Sequence, residues 1–303
     1  MKIKLPIVIA GPTGCGKSNI ALNLAEKIHG EVICADSRQV YQNMRIGTAG
    51  PTDLELKRVR HHGYHIMPLN EKFNAAKFVN ICDMNIVNVE SRGKWPILVG
   101  GSGLYLRFFR YGFFDIPGSD REIRKKFEII LKREGLKFLY KRLRDVDAFS
   151  AKKISANDSV RIIRALEIYQ LTNKKPSFFI KSYSDQKLRT NAFWFLCWPN
   201  RVWLKQHLVK RVERMFIQGL IDEAVSLKEN LSNNHQLLYT MGYKEALLVN
   251  DKKISLQKAK ERILSRQNGY AKRQYTWFKK EKWWQKIDPY SVNVIDNIIE
   301  LIS

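Results

Sequence analysis

The stretch KLPIVIAGPTGCGKSNIALNLAEKI, residues 4–28, decides the fold. Residues 4–10 are a short, largely apolar run of the kind that forms a strand buried on both faces. Gly11 to Ser18 (GPTGCGKS) then follow the pattern G-x-x-x-x-G-K-S, and apolar residues recur at helical spacing from Asn19 to Ile28. Strand, glycine-rich loop and helix in that order are the context that makes the pattern a phosphate-binding loop. Gly11, Pro12, Thr13, Gly14, Cys15 and Gly16 shape a turn whose backbone amides converge on phosphate oxygens at a helix N-terminus. Lys17 adds a point charge, and the Ser18 hydroxyl is placed to hold a magnesium ion, Mg2+. The loop itself leaves open which diphosphate it binds.

Two further apolar runs, EVICAD ending at Asp36 and PILVGG ending at Gly101, read as strands, the second followed by a helix from near Ser102. Short buried strands alternating with helices predict an α/β fold with a parallel sheet, a core of the P-loop NTPase type. Ligands of such sheets bind at the carboxyl ends of the strands, so the loops at 11–18, 36–41 and 100–105 are expected around one crevice. Asp36 has two readings there. Its carboxylate is a general base aimed into the crevice, or it is a helix cap, as an Asp after a strand commonly is.

From Pro117 to Lys187 strand signals vanish and the chain becomes helical and basic, with REIRKKFEIILKR and SVRIIRALEIYQLTN. The expected organisation is therefore a core from 1–116 and 188–303 with an inserted helical lobe at 117–187. The strand FWFLCW returns at 193–198, and helices then dominate to a long basic stretch, Leu256 to Lys282. On that last helix Tyr270, Gln274, Trp277 and Phe278 share a stripe expected in the core, which turns Lys272 and Arg273 outward. Arg161 and Arg164 lie on one helical face, where they either straddle nucleic-acid phosphates or pair with Glu167.

The chain has 303 residues, with 53 Lys and Arg against 29 Asp and Glu and a formal charge of +24. That excess favours a polyanionic partner, nucleic acid first, over a neutral metabolite. Its four cysteines (Cys15, Cys34, Cys82, Cys197) show no metal-ligand spacing and no disulfide framework, which fits a reducing cytoplasm. No run is apolar enough for a signal peptide core or a membrane span, so no membrane association is expected. Tandem His61 and His62 precede an expected strand and have no nearby ligands to complete a metal site.

In order along the chain, GPTGCGKS, ADSRQVYQNMRIGTA (35–49), GGSGLYL (100–106), NDSVRIIRALEIYQLTNKKPS (157–177), GLIDEA (219–224), MGYKEAL (241–247) and YAKRQYTWF (270–278) resemble the tRNA dimethylallyltransferase family. The resemblance implies transfer of a dimethylallyl group from dimethylallyl diphosphate to the exocyclic amine of the adenine 3′-adjacent to the anticodon, within the tRNA anticodon stem-loop. By matching position it implies that Asp36 is the base at that amine and that Ser37, Arg38 and Gln39 touch the RNA. Ser102 stands where the family usually has Thr, near the diphosphate. Arg124, Asn157, Asp158, Arg161 and Arg164 match positions along the tRNA, as do Gly242, Tyr243, Lys272 and Arg273. Two positions depart from the family: Asn173 replaces a common Gly, and His207 a common Arg; if that Arg holds the diphosphate in the family, His207 is a weaker substitute for it and Arg211 is the diphosphate ligand that compensates. The family is usually monomeric.

The chemistry supports this reading on its own terms. An adenine amine is a poor nucleophile because its lone pair is delocalised, so attack on an allylic carbon calls for a placed carboxylate. Backbone amides, Lys17 and magnesium would stabilise the charge growing on the departing diphosphate. Three alternatives remain at this level: prenylation of free AMP, a phosphate-loop kinase acting on a small molecule, and a non-catalytic RNA-binding protein. The basic lobe and tail speak against a metabolite kinase, and Lys17, Ser18 and Asp36 together speak against a purely binding role.

Overall fold

The computed structural model describes residues 4–113, 117–181, 187–231, 238, 240 and 242–303. The first apolar run forms β1 (Ile7–Ala10), which is buried along its whole length. Its side chains alternate between two cores, Ile7 and Ile9 in one and Val8 and Ala10 in the other, as a strand covered on both faces requires. β1 pairs in parallel with β4 (Trp95–Gly100) on one side and with β5 (Phe193–Cys197) on the other. Beyond β4 lie β2 (Gly30–Cys34) and β3 (His61–His62), and beyond β5 lies β6 (Gln285–Ile287). Among the described residues the sheet order is β3-β2-β4-β1-β5-β6, all parallel.

Chain contacts divide the protein into two compact units, Met1–Arg110 with Thr190–Ser303, and Tyr111–Arg189. The boundaries expected from composition adjoin residues 114–116 and 182–186, which lie outside the described residues. Helices α1 (Lys17–Ile28), α2 (Asp53–Arg58), α3 (Ala75–Ser91) and α4 (Gly103–Tyr111) follow the strands of the first unit in turn. The second unit contains α5 (Arg121–Val146, bent at Gly135), α6 (Ala148–Lys153), α7 (Ser159–Thr172) and α8 (Pro176–Lys181). Its own core is built from Phe127, Leu139, Leu143, Ile162 and Leu166. Asp120, Asp147 and Asp158 cap α5, α6 and α7 by accepting N–H groups of the first turns. Asn173 ends α7 in the left-handed conformation at φ 53°, a position that tolerates Gly or Asn and little else. The chain then returns to the first unit through α9 (Arg201–Ile217), α10 (Leu220–Glu229), α11 (Tyr243–Asn250), α12 (Leu256–Lys279) and α13 (Val294–Ile302).

Three elements differ from expectation. β2 stops at Cys34 instead of Asp36: Ala35 still donates to the Val99 carbonyl at 2.8 Å, but Asp36 turns the chain away. The histidines expected before a strand are themselves β3, where Val32 pairs with His61 and Ile33 with His62. Buried Glu31 holds that edge together, taking His62 Nε2 at 2.6 Å and Arg92 Nη2 at 2.6 Å. β6 escapes the sequence because it is a short edge strand, QKI, with only Ile287 buried.

Where β2 and β4 end, the two backbones come very close. A Cβ on Gly100 would overlap the carbonyl of Ala35, so only glycine lets the chain bring Asp36 beside the loop that follows β4. Gly100→Ala is expected to destabilise the protein by about 3 kcal/mol through this backbone overlap, measured by urea unfolding. A variant as stable as the parent would show that the strands part without cost.

Candidate active site

A cleft of about 350 Å³ opens at the carboxyl end of the sheet, and residues of the phosphate loop and of the loop after β2 line it. Thr13, Lys17 and Ser18 come from the first, Asp36, Ser37, Arg38 and Gln39 from the second. Gly16, at φ 82°, turns the chain into α1 so that Lys17 and Ser18 stand at the helix N-terminus, where anions are stabilised. Lys17 Nζ rests on the Pro12 carbonyl at 3.3 Å. Gly11, Gly14 and Cys15 form the floor of the loop behind these residues, with Gly11 and Cys15 buried.

Gln274 of α12 keeps the phosphate loop in place. Its Oε1 accepts the Thr13 N–H at 2.8 Å and its Nε2 donates to the Gly101 carbonyl at 3.0 Å, so one buried amide joins the loops after β1 and β4. The stripe reading of α12 put Gln274 on the inner face, where it is; periodicity could not reveal that the inner face carries a hydrogen-bonding task. Tyr270, on the same stripe, lines the cleft, and burial together with the nearby Asp36 carboxylate pushes its phenol up to about 12.

Asp36 accepts the N–H groups of Arg38 at 2.8 Å and Gln39 at 3.4 Å, both on Oδ1. It thus caps a turn, and Oδ2 keeps no hydrogen bond among the described residues. The capping reading is met in part: no helix follows, and what Asp36 caps is the turn at 37–40. Ser102 Oγ accepts the Ser37 N–H at 3.1 Å and ties the two loops together, without itself lining the cleft. Gln39 donates Nε2 to the carbonyls of Thr48 (3.1 Å) and Ala49 (2.7 Å), which leaves its Oε1 for a ligand.

Sequence reasoning missed the wall formed by Gly47, Thr48 and Ala49, although these residues stand in the quoted phrase RIGTA. It also gave Arg211 only a secondary place. Arg211 lines the cleft, donates Nη2 to the Thr48 carbonyl at 3.2 Å, and keeps a buried Nε without a partner. Burial lowers its pKa and the Asp36 carboxylate opposes that fall; a guanidinium stays charged regardless, so this is a desolvated cation facing the cleft. His207 is absent from the lining and stacks on Trp203, with ring centroids 3.4 Å apart. Of the two, Arg211 is placed to meet an anion.

Gly242 and Tyr243 require correction. Both are buried, and Tyr243, 0% exposed, gives its hydroxyl to Glu223 at 2.8 Å, so neither presents a surface to RNA. Lys272 and Arg273 are exposed on α12 as expected. In the second unit, Glu167 is fully buried and accepts Arg164 Nη1 (2.8 Å), Arg124 Nε (3.0 Å) and the Asp120 N–H (2.7 Å). Arg124 and Arg164 therefore serve that carboxylate, which the ion-pair reading anticipated for Arg164. Arg161 is mostly exposed and reaches only Asp158, at 3.4 Å, and Asn157 is exposed beside it.

Residues 39–281 match the family described as IPP transferase. The chain belongs to the IPP transferase family. It is 38% identical over 306 residues to tRNA dimethylallyltransferase 1 of Citrifermentans bemidjiense, covering 100% of this chain and 98% of that one. It is 37% identical to the tRNA dimethylallyltransferase of Caldanaerobacter subterraneus subsp. tengcongensis, covering 98% and 97%. Among solved structures it resembles the tRNA delta(2)-isopentenylpyrophosphate transferase of Staphylococcus epidermidis, with TM-score 0.70 and 32% identity over 99% of both chains. It also resembles a eukaryotic dimethylallyltransferase acting on tRNA, with TM-score 0.78 and 31% identity over 98% of this chain and 77% of that one. The phosphate-loop fold read from residues 4–28 is thus the fold of the family.

Two outcomes test the roles just described. Gln274→Ala leaves the Thr13 N–H without its partner and the Gly101 carbonyl with the Gly103 N–H (3.1 Å) alone, and should cost about 2 kcal/mol in urea unfolding. Arg164→Ala should cost about 2 kcal/mol, because buried Glu167 keeps only part of its donor set, whereas Arg161→Ala should change stability by under about 0.5 kcal/mol. Burial alone would raise the Glu167 pKa; hydrogen bonds from Arg164, the Asp120 N–H and Arg124 outweigh it and hold the carboxyl below its ordinary value. Its stabilising contribution is therefore complete above an ordinary Glu pKa of about 4.3 and is lost as pH falls through the folded value, a dependence that Glu167→Gln should flatten in acid-unfolding curves.

Proposed function

We propose that the protein transfers a dimethylallyl group from dimethylallyl diphosphate to the exocyclic amine of the adenine 3′-adjacent to the anticodon of tRNA, as a prenyl transferase. The observation that carries this reading is the juxtaposition of the Asp36 carboxylate with Lys17, Ser18 and Arg211 in one cleft. The cations and the N-terminus of α1 bind the diphosphate and stabilise the charge that grows on it. Asp36 takes the proton from the amine through Oδ2 while the nitrogen bonds to the allylic carbon and the carbon–oxygen bond breaks, releasing diphosphate. Because those charges build up in the transition state, the groups aimed at them raise the rate and do more than bind substrate.

The donor set fits magnesium held through substrate phosphates. Ser18 offers a hydroxyl oxygen at the cleft, and among the described residues no group of three His, Cys, Asp or Glu side chains forms a protein cage. Mg2+ suits such a site because it keeps water and phosphate oxygens as most of its ligands. When bound, the ion neutralises part of the diphosphate charge.

The net charge of +24 supports a tRNA partner, with Arg38, Lys272 and Arg273 in the first unit and Asn157 and Arg161 in the second offered to its backbone. The target adenine must leave its stack to enter the cleft, which costs least in a single-stranded loop such as that of the anticodon stem-loop. Four buried free cysteines are in keeping with the cytoplasm. No helix among the described residues is long and apolar enough to cross a membrane.

The test offers radiolabelled dimethylallyl diphosphate and magnesium to the purified protein with unmodified tRNA or with AMP. Label is expected in tRNA and not in AMP, and Asp36→Asn is expected to lower kcat by roughly 10²–10⁴. Label in AMP would move the acceptor to a free nucleotide. Full activity of Asp36→Ala would remove the base from the mechanism, and label in neither acceptor would return the kinase reading.

A further inference from the structure

The wall of the cleft at residues 45–49 is a turn outside any helix or strand, and a carboxylate from another element holds it. Glu223, in the first turn of α10, accepts the backbone N–H groups of Arg45 (2.9 Å), Ile46 (3.0 and 2.8 Å) and Gly47 (2.8 Å). Three successive amides pointing at one place form the concavity that elsewhere binds a free anion; here the protein fills it with its own side chain. Tyr243 supports Glu223 from behind, its hydroxyl 2.8 Å from Oε1. The ring packs so closely under Gly47 that a Cβ there would overlap it. Burial and the neighbouring Glu223 charge raise the Tyr243 pKa, so the phenol remains a donor.

What the turn presents on its other side is the Thr48 carbonyl. That oxygen takes Arg211 Nη2 at 3.2 Å and Gln39 Nε2 at 3.1 Å, and the Ala49 carbonyl takes the same Gln39 nitrogen at 2.7 Å. Two cleft-lining side chains are therefore aimed by backbone carbonyls whose direction depends on the amides just before them. We propose that Glu223 is a positioning residue for the reaction. Locked by Tyr243, it fixes the 45–49 turn so that the Thr48 carbonyl directs the free edge of Arg211 at the diphosphate and the Oε1 of Gln39 at the RNA. The inference rests on the reading of the cleft as the prenyl-transfer site. Glu223 of GLIDEA and Tyr243 of MGYKEAL do not line the cleft; they grip its wall from outside.

A double-mutant cycle separates positioning from plain stabilisation. KM for dimethylallyl diphosphate, kcat with saturating tRNA, and Kd for inorganic pyrophosphate are measured for the parent, Glu223→Gln, Arg211→Ala and the double variant, alongside thermal unfolding. Glu223→Gln is expected to raise KM for dimethylallyl diphosphate and Kd for pyrophosphate by about tenfold, with a smaller change in kcat. In the Arg211→Ala background it should add no further loss of pyrophosphate binding. Additive losses, or a lowered melting temperature with unchanged KM and Kd, would overturn the proposal while leaving the cleft assignment intact. If Arg211→Ala itself leaves pyrophosphate binding unchanged, the diphosphate reading of the cleft falls, and this inference with it. Should Glu223→Gln not fold, Tyr243→Phe carries the same cycle, since it deletes only the hydroxyl that locks Glu223; a smaller increase, about two- to threefold, is then expected, again absent without Arg211.

Discussion

At the carboxyl end of a parallel sheet the strands stop donating to and accepting from one another, and every loop that leaves must find new partners for its backbone. The cleft of this protein is built from the solutions. Gln274 serves the Thr13 N–H and the Gly101 carbonyl, Ser102 the Ser37 N–H, Asp36 the amides of Arg38 and Gln39, and Glu223 those of residues 45–47. Side chains from α10 and α12 reach back across hundreds of residues of chain to do this. The consequence for function is selective: polar groups spent on the backbone fix geometry, and those left over face the cleft. Lys17, Ser18, the second oxygen of Asp36 and the inner edge of Arg211 are the remainder.

Charge follows the same division. Lys and Arg exceed Asp and Glu widely, yet the carboxylates that matter to the architecture are those surrounded by donors. Buried Glu31 joins the sheet edge to Arg92, buried Glu167 organises the helical unit, and half-buried Glu223 holds the cleft wall. A buried carboxylate is stable only when its donors are complete, so Glu31 and Glu167 specify their local arrangements more strictly than apolar packing does. The cations, by contrast, remain mostly on the surface, where an extended polyanion can engage many of them weakly.

How far the sequence could be read depended on the range of the interaction concerned. β1, the phosphate loop and α1 are contiguous, their period and turn chemistry local, and they were legible from residues 4–28 with only the starts of the strand and of the helix misplaced. Asp36 was legible as a cleft residue because it stands in the loop that leaves β2 after Cys34. The task of Gln274 and the 47–49 wall were not, since a position on a helix or turn says which face is inward but not which distant loop that face meets, and Arg211 was named only as a substitute for His207. Tyr243 shows the reverse error. Its motif placed it among RNA-contacting residues, while its burial puts it beneath the wall, acting on the site through Glu223.

The sequence alone determined that this chain has a strand, glycine-rich loop and helix of the phosphate-loop type, carries a carboxylate after its second strand and has a large excess of positive charge. Those properties arise from residues adjacent in the chain or from summed composition, and no tertiary contact is needed to recognise them. Only the tertiary structure decided which side chains share the cleft and which serve it from behind. Hydrogen bonds between residues far apart in the chain are specified by the packing of whole elements, and that information appears in no single stretch of sequence.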